Sequence, residues 1–182
     1  MKNIPNILST FRIFLIPFFV WQMIKGNTTN AAFILVLSGI TDFLDGNLAR
    51  KFNWITDLGK ILDPIADKLT QAAISITMII SIKKYQYFFI IMILKDLIML
   101  ILGGYLMKNG IKLEGAKWFG KVSTFVYYMV MIILLFIPNM PNFIVVTLLF
   151  IATITAIISA VLYIPEYVSK RKEIFSNNNK KM

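Results

Sequence analysis

Five of the nine acidic residues in this 182-residue chain fall within 26 positions, from Asp42 to Asp67. On a helix, Asp42 and Asp45 are three residues apart and Asp63 and Asp67 are four apart, so each pair lies on one helical face. Carboxylates gathered in this way repel one another unless cations neutralise them. Hard divalent cations prefer oxygen ligands, and Mg²⁺ in particular binds carboxylates together with substrate phosphates. The spacing therefore predicts a divalent-metal site that acts on a phosphate-bearing substrate.

The rest of the composition limits what else the chain can use. Cysteine and histidine are both absent, which excludes disulfides, thiolate and imidazole metal ligands, and histidine bases. Any chemistry must come from carboxylates, lysines, arginines or hydroxyl groups.

The elements that must position these carboxylates are apolar helices. The chain is 58% hydrophobic and has a mean hydropathy of +0.73, and several apolar runs approach the roughly 20 residues that span a bilayer. The sequence predicts an all-α, polytopic membrane protein with a single domain over residues 1–182. We expect a short interfacial helix at residues 1–10 and six transmembrane helices at residues 11–24, 31–49, 61–82, 86–107, 118–137 and 143–163, followed by a basic polar tail at 164–182.

The formal net charge of +10 does not indicate a nucleic-acid partner, because the contiguous basic face that such binding needs is missing. Basic residues stand at the ends of apolar runs, which fits anionic lipid headgroups. Among the expected connections, Lys25, Lys83 and Lys84 lie on one side of the membrane, and most other basic residues lie on the opposite side. The positive-inside rule then predicts a cell-membrane protein with both termini and the acidic cluster in the cytoplasm.

The acidic stretch carries a family resemblance. The pattern Asp-x-x-Asp-Gly-x-x-Ala-Arg, eight residues, Gly-x-x-x-Asp-x-x-x-Asp is the signature of the CDP-alcohol phosphatidyltransferases, and this chain resembles that family at every fixed position. The matching residues are Asp42, Asp45, Gly46, Ala49, Arg50, Gly59, Asp63 and Asp67.

The resemblance implies roles for these residues. Asp42, Asp45 and Asp63 would bind a pair of Mg²⁺ or Mn²⁺ ions, and Asp67 would take the proton of the acceptor hydroxyl while also contacting a metal. The residues implied to bind the CDP-linked lipid, by their small size or by donating hydrogen bonds, are Gly46, Ala49, Gly59 and Arg50. Members of the family are often dimers, so we also expect a homodimer.

The implied activity is transfer of a phosphatidyl group from CDP-diacylglycerol to an alcohol, with release of CMP. The opening segment up to Arg12 resembles bacterial phosphatidylglycerophosphate synthases, whose acceptor is glycerol 3-phosphate, whereas the segment Gly120–Thr124 is closer to cardiolipin synthases, whose acceptor is phosphatidylglycerol. An acceptor with its own phosphate needs nearby cations. The candidates are Lys60, Lys68, Lys95, Lys121 and Arg12.

Several alternatives stay open at this point. Arg12 could instead anchor the first helix at the lipid headgroups, and Lys95 and Asp96, in the middle of the fourth span, could pair with other polar groups and only stabilise packing. Asp63, which precedes Pro64, could cap a helix. For the whole protein, the alternatives are a cation transporter or channel, for which the sequence lacks the internal repeats that would support it, and a catalytically inactive scaffold that binds nucleotide lipids.

Overall fold

The computed structural model describes residues 4–52, 54, 56–109 and 117–179, and these residues form six α-helices and one short 3-10 helix, without strands. The predicted all-α fold is confirmed. The helices are α1 (Ile4–Ile24), α2 (Thr28–Lys51), α3 (Asp57–Ser81), α4 (Gln86–Lys108), α5 (Trp118–Phe136) and α6 (Asn142–Asn179), with the 3-10 helix at Lys83–Tyr85 before α4.

Five of these helices are long and apolar enough to cross a membrane, which supports the predicted polytopic membrane protein. The exception is α3, which has 25 residues and so sufficient length. Its first half carries Asp63, Asp67 and Lys68, which lower its hydropathy. The helix that is least like a membrane span is therefore the one that brings Asp63, Asp67 and Lys68 into the bundle.

The two ends of the chain differ from expectation. Residues 4–10 are the first turns of α1 and not a separate interfacial helix. Pro5 lies in the first turn, where a missing N–H loses no helical hydrogen bond. Ser9 and Arg12 lie on the same face of α1 as its other buried residues. At the other end, α6 continues past the expected boundary at residue 163 to Asn179, because lysine, arginine and glutamate in this segment are good helix formers.

Two side-chain hydrogen bonds show how the connections are arranged. The Tyr85 hydroxyl donates to Asn142 Oδ1 at 2.7 Å, so the α3–α4 connection lies beside the α5–α6 connection. The Thr56 hydroxyl donates to Asn6 Oδ1 at 3.0 Å, so the α2–α3 connection lies beside the start of α1. The helices thus alternate in direction, and the acidic ends of α2 and α3 share one end of the bundle with the start of α1.

The apolar core occupies the opposite half of the bundle. Phe19 of α1, Ala32 and Leu35 of α2, and Ile74 and Met78 of α3 are buried together. Ala32 is small, which permits α1 and α2 to pack closely. This core fixes the three helices relative to one another, and their polar ends are thereby held together beyond it.

Candidate active site

The acidic residues of two helices meet at the end of the bundle where α2 stops and α3 starts. Asp42 and Asp45 lie in the second half of α2, and Asp63 lies in the second turn of α3. Thr56 caps α3 by accepting a hydrogen bond from the Gly59 N–H at 3.0 Å. Asp63 is therefore not the cap. One carboxylate oxygen from each of Asp42, Asp45 and Asp63 lies within 4.8 Å of the others, which is a spacing that one metal ion can bridge.

Arg12 of α1 binds all three carboxylates. Its Nη1 lies 2.6 Å from Asp42 Oδ1 and 3.4 Å from Asp63 Oδ1, and its Nη2 lies 2.5 Å from Asp45 Oδ2. The Arg12 side chain is 0% exposed. Asp45 Oδ2 also accepts a hydrogen bond from the Ser9 hydroxyl at 3.2 Å. The guanidinium therefore connects α1, α2 and α3 in one ion-pair network, and it is not an interfacial anchor.

The donor set suits a divalent cation. These contacts use Oδ1 of Asp42, Oδ2 of Asp45 and Oδ1 of Asp63, so the described contacts leave the second oxygen of each carboxylate available. Asp42 and Asp63 are about half exposed, so their carboxylates are accessible from the cavity described next. Among the described side chains, the three carboxylates outnumber the Arg12 guanidinium, and this group is net anionic when all its members are ionised. An accessible all-oxygen, anionic site of this kind favours a hard divalent ion.

A cavity of about 950 Å³ opens beside the carboxylates. Asp42 and Asp63 line it together with Gly46 of α2 and Asp67 of α3, and α4, α5 and α6 complete its wall. Its volume is in the upper part of the range of ligand sites. Apolar side chains such as Met99 share the wall with charged ones, so the cavity suits a ligand that has both polar and apolar parts.

Asp67 lies outside the group of three carboxylates that meet within 4.8 Å. Its Oδ2 accepts a hydrogen bond from Gln71 Nε2 at 2.9 Å, and its Oδ1 lies 3.5 Å from the Tyr128 hydroxyl. Asp67 and Tyr128 both line the cavity. The environment of Asp67 thus differs from that of the other three carboxylates. Its described hydrogen-bond donors, Gln71 and Tyr128, are neutral, whereas the Arg12 guanidinium contacts the other three.

Two lysines share one carboxylate in the lining of the cavity. Lys68 Nζ and Lys95 Nζ each lie 2.7 Å from Oδ1 of Asp96. Both lysines also line the cavity, as does Lys121. The two interpretations of Lys95 are therefore compatible, because the residue is paired within the bundle and still faces the space in which a substrate would bind.

The comparison with known proteins agrees with this geometry. The family model for CDP-alcohol phosphatidyltransferases matches residues 2–164, which is most of the chain. The chain belongs to the CDP-alcohol phosphatidyltransferase family. The predicted resemblance is confirmed.

Relatives of this chain include proteins with two different names. The chain is 31% identical over 172 residues to the CDP-diacylglycerol–glycerol-3-phosphate 3-phosphatidyltransferases of Shigella flexneri serotype 5b (strain 8401) and Escherichia coli (strain K12), which covers 89% of this chain and 93% of each relative. It is also 32% identical over 129 residues to a cardiolipin synthase (CMP-forming) of Streptomyces coelicolor, covering 68% of this chain and 60% of the relative.

The structure places the small residues of the family signature differently. Gly46 lines the cavity. Gly59 packs on α1 instead, since a Cβ there would lie 2.7 Å from Asn6 Oδ1. Ala49 is partly buried near the end of α2, and its carbonyl accepts a hydrogen bond from Trp54 N at 3.0 Å. The side chains of Arg50 and Lys60 lie outside the described part of the structure, so their predicted roles stay predictions.

Three residues of the site were not predicted from the sequence. Ser9 binds Asp45, while Gln71 and Tyr128 contact Asp67. Gln71 had a detectable signal, because it follows Asp67 by four residues in an otherwise apolar span and so lies on the same helical face. Ser9 and Tyr128 reach their partners from other helices, and no local spacing indicates those contacts.

Proposed function

We propose that this protein is a metal-dependent phosphatidyltransferase that transfers phosphatidyl from CDP-diacylglycerol to glycerol 3-phosphate and releases CMP. One observation carries the proposal: Asp42, Asp63 and Asp67 line the same cavity as Lys68, Lys95 and Lys121. The carboxylates suit a metal-bound pyrophosphate, and the lysines suit an acceptor that has its own phosphate. Relatives named for this reaction cover almost the whole chain.

We further propose that Asp42, Asp45 and Asp63 hold a pair of Mg²⁺ or Mn²⁺ ions, with Asp67 as an additional ligand. When bound, such ions neutralise the charge of the pyrophosphate and stabilise the charge that develops during phosphoryl transfer. Gly46 supports this placement, since it lies in the cavity wall beside Asp42 and its lack of a side chain permits close approach of the nucleotide.

In the proposed reaction, Asp67 accepts the proton of the acceptor hydroxyl. The hydroxyl oxygen then forms a bond to the phosphorus that carries the diacylglycerol, the bond from that phosphorus to the CMP oxygen breaks, and CMP leaves. The Gln71 amide donates to Asp67 Oδ2 at 2.9 Å, whereas the Tyr128 hydroxyl lies 3.5 Å from Oδ1, so the less tightly hydrogen-bonded Oδ1 would take the proton. No covalent intermediate on the protein is needed, in agreement with a chain that lacks cysteine and histidine.

The lysines that line the cavity would bind the phosphate of the acceptor. Lys68 and Lys95 share Asp96, so the trio is net cationic when all three groups are ionised. Lys121 adds a further cation to the wall. A charge-assisted contact with phosphate oxygens would orient the acceptor with its hydroxyl toward Asp67.

Orientation and assembly are also proposals. The active site and both termini would face the cytoplasm, as the distribution of basic residues favours, and CDP-diacylglycerol would enter from the surrounding membrane lipid. We propose a homodimer on the family resemblance alone.

The acceptor assay tests the proposed reaction. Purified protein is incubated with CDP-diacylglycerol and Mg²⁺ or Mn²⁺, with glycerol 3-phosphate or phosphatidylglycerol offered separately, and CMP and lipid products are measured. We expect CMP release and formation of phosphatidylglycerophosphate with glycerol 3-phosphate, and neither in EDTA. If CMP is released with neither acceptor at any metal concentration, the proposal is contradicted, and another alcohol is then the acceptor to test.

Cardiolipin synthesis is the second candidate. It is favoured by the relative named cardiolipin synthase and by the segment Gly120–Thr124, of which Gly120, Lys121, Ser123 and Thr124 line the cavity. In the same assay, cardiolipin formed from phosphatidylglycerol, with no product from glycerol 3-phosphate, would establish this alternative. A transporter is disfavoured by the family match, and it would yield no lipid product with either acceptor.

Replacing Lys95 tests whether the cavity lysines bind the phosphate of the acceptor. Lys95→Met is expected to raise KM for glycerol 3-phosphate about tenfold or more, the equivalent of one hydrogen bond to a charged group, with kcat and KM for CDP-diacylglycerol within about threefold of wild type. Steady-state kinetics with each substrate varied in turn provide the measurement. Lys25→Met is a matched control, because Lys25 packs over the ring of Trp21 at the C-terminal end of α1. An unchanged KM in Lys95→Met would remove Lys95 from the site.

A further inference from the structure

Gln71 uses both ends of its amide inside the bundle. It lies one turn beyond Asp67 on α3, is 5% exposed and is not part of the cavity wall. Its Nε2 donates to Asp67 Oδ2 at 2.9 Å, and its Oε1 accepts a hydrogen bond from Lys68 Nζ at 3.2 Å. The side chain therefore joins the proposed base to one of the proposed acceptor-binding lysines without contacting a substrate itself.

The two partners fix the direction of this amide. In the reverse orientation, the amide oxygen would face the Asp67 carboxylate and the NH₂ group would face the Lys68 ammonium group, and both contacts would be repulsive. The backbone at this position is also held, because the Gln71 carbonyl accepts a hydrogen bond from the Tyr127 hydroxyl of α5 at 3.1 Å. The charges of Asp67 and Lys68 thus orient the Gln71 amide, and the hydrogen bond from Tyr127 of α5 holds the Gln71 backbone.

The amide separates two groups that would otherwise attract each other. Asp67 and Lys68 are neighbours in sequence and carry opposite charges, but the described ion pairs join Lys68 to Asp96 at 2.7 Å. A direct pair between Asp67 and Lys68 would occupy the carboxylate that must take a proton and the ammonium that must bind a phosphate. The Gln71 amide makes one hydrogen bond to Asp67 and one to Lys68, so these two charged groups do not need to pair with each other.

We propose that Gln71 is a positioning residue that couples the proton acceptor Asp67 to the acceptor-phosphate site at Lys68. It fixes one oxygen of Asp67, leaves the other toward Tyr128, and holds Lys68 against Asp96. The inference rests on the proposed function, because it assigns Asp67 and Lys68 their roles. It assigns a task in the reaction to a residue that is outside the family signature and outside the cavity.

Two substitutions separate the two bonds of the amide. Gln71→Leu removes both bonds, and we expect kcat to fall about 10- to 100-fold and KM for glycerol 3-phosphate to rise severalfold, with KM for CDP-diacylglycerol within about twofold. Gln71→Glu keeps an oxygen for Lys68 but loses the donor to Asp67. We expect a similar fall in kcat, with KM for glycerol 3-phosphate close to wild type. Gln71→Glu also keeps the size of the side chain, with a carboxylate in place of the amide, and it decides the question if Gln71→Leu is not recovered folded.

A double-substitution cycle tests whether the effect on acceptor binding passes through Lys68. In a Lys68→Met background, Gln71→Leu is expected to change KM for glycerol 3-phosphate by less than about twofold, because the lysine that Gln71 holds is already absent. A general packing defect would give the same fold-change in both backgrounds. Equal fold-changes would therefore overturn the proposed coupling.

Thr77→Val is the matched control. Thr77 is also a buried polar residue of α3, and within the described part of the chain its hydroxyl donates to the carbonyls of Ala73 and Ile74 in its own helix. We expect kinetics close to wild type for this control. If kcat of Gln71→Leu and Gln71→Glu stays within threefold of wild type, or falls no further than that of Thr77→Val, the inference is wrong. If the wild-type protein forms no phosphatidyl product with any acceptor, the proposed function has failed instead.

Discussion

Asp67→Asn is expected to reduce the rate of phosphatidyl transfer by about 10²- to 10⁴-fold, the usual contribution of a general base. The amide has nearly the same shape as the carboxylate but cannot take the proton of the acceptor hydroxyl. Asp67 lies outside the close group of Asp42, Asp45 and Asp63, so that group is left intact. We therefore expect binding of CDP-diacylglycerol to remain within a few-fold of wild type, measured beside initial rates of CMP release.

The control for this substitution is Asp57→Asn, which removes a carboxylate at the start of the same helix but outside the family signature. Its transfer rate should stay close to wild type. A rate for Asp67→Asn within tenfold of wild type would show that another group takes the proton. A complete loss of CDP-diacylglycerol binding in Asp67→Asn would show that Asp67 is chiefly a ligand and not a base.

Arg12→Met is expected to destabilise the protein strongly when divalent ions are absent. The fully buried guanidinium is the cation that contacts Asp42, Asp45 and Asp63. Breaking a buried ion pair by removing one partner typically costs about 3–5 kcal/mol, because the remaining charge is left uncompensated. We expect the midpoint of thermal unfolding in EDTA to fall by on the order of 10 °C.

Divalent ions should compensate for much of this loss. Mg²⁺ or Mn²⁺ bound at the three carboxylates supplies positive charge in place of the guanidinium, so we expect a larger metal-induced rise in the unfolding midpoint for Arg12→Met than for wild type. Lys25→Met, which removes a cation next to the other end of α1, should behave like wild type in both buffers. Equal midpoints for Arg12→Met and wild type in EDTA would show that the carboxylates do not depend on Arg12.

Much of the site follows from local spacing. Asp42 and Asp45 are three residues apart, and Asp63 and Asp67 are four apart, so a helix alone places each pair on one face. Because α2 ends and α3 begins within a few residues, these faces meet at the same end of the bundle, as the structure shows. The polytopic all-α fold follows in the same way from apolar runs of membrane-spanning length.

The position of Arg12 is different in kind. It lies at least 30 residues before each of its three partners, and its burial depends on how α1 packs against α2 and α3. The sequence allowed an anchor at the lipid headgroups or a contact with substrate phosphate, whereas the structure places the guanidinium on the carboxylates. Gly59 is similar, because its closest neighbour is Asn6 of α1 and not the cavity.

The sequence by itself determined the family signature, the membrane-spanning helices and the carboxylates of the site, since these depend on composition and on distances of a few residues along one helix. Only the tertiary structure decided that Arg12 pairs with three of the carboxylates, that Gln71 and Tyr128 contact the fourth, and that Lys68 and Lys95 share Asp96. The physical reason is that these contacts join separate helices, and side-chain partners across a helix interface are set by packing and not by spacing along the chain.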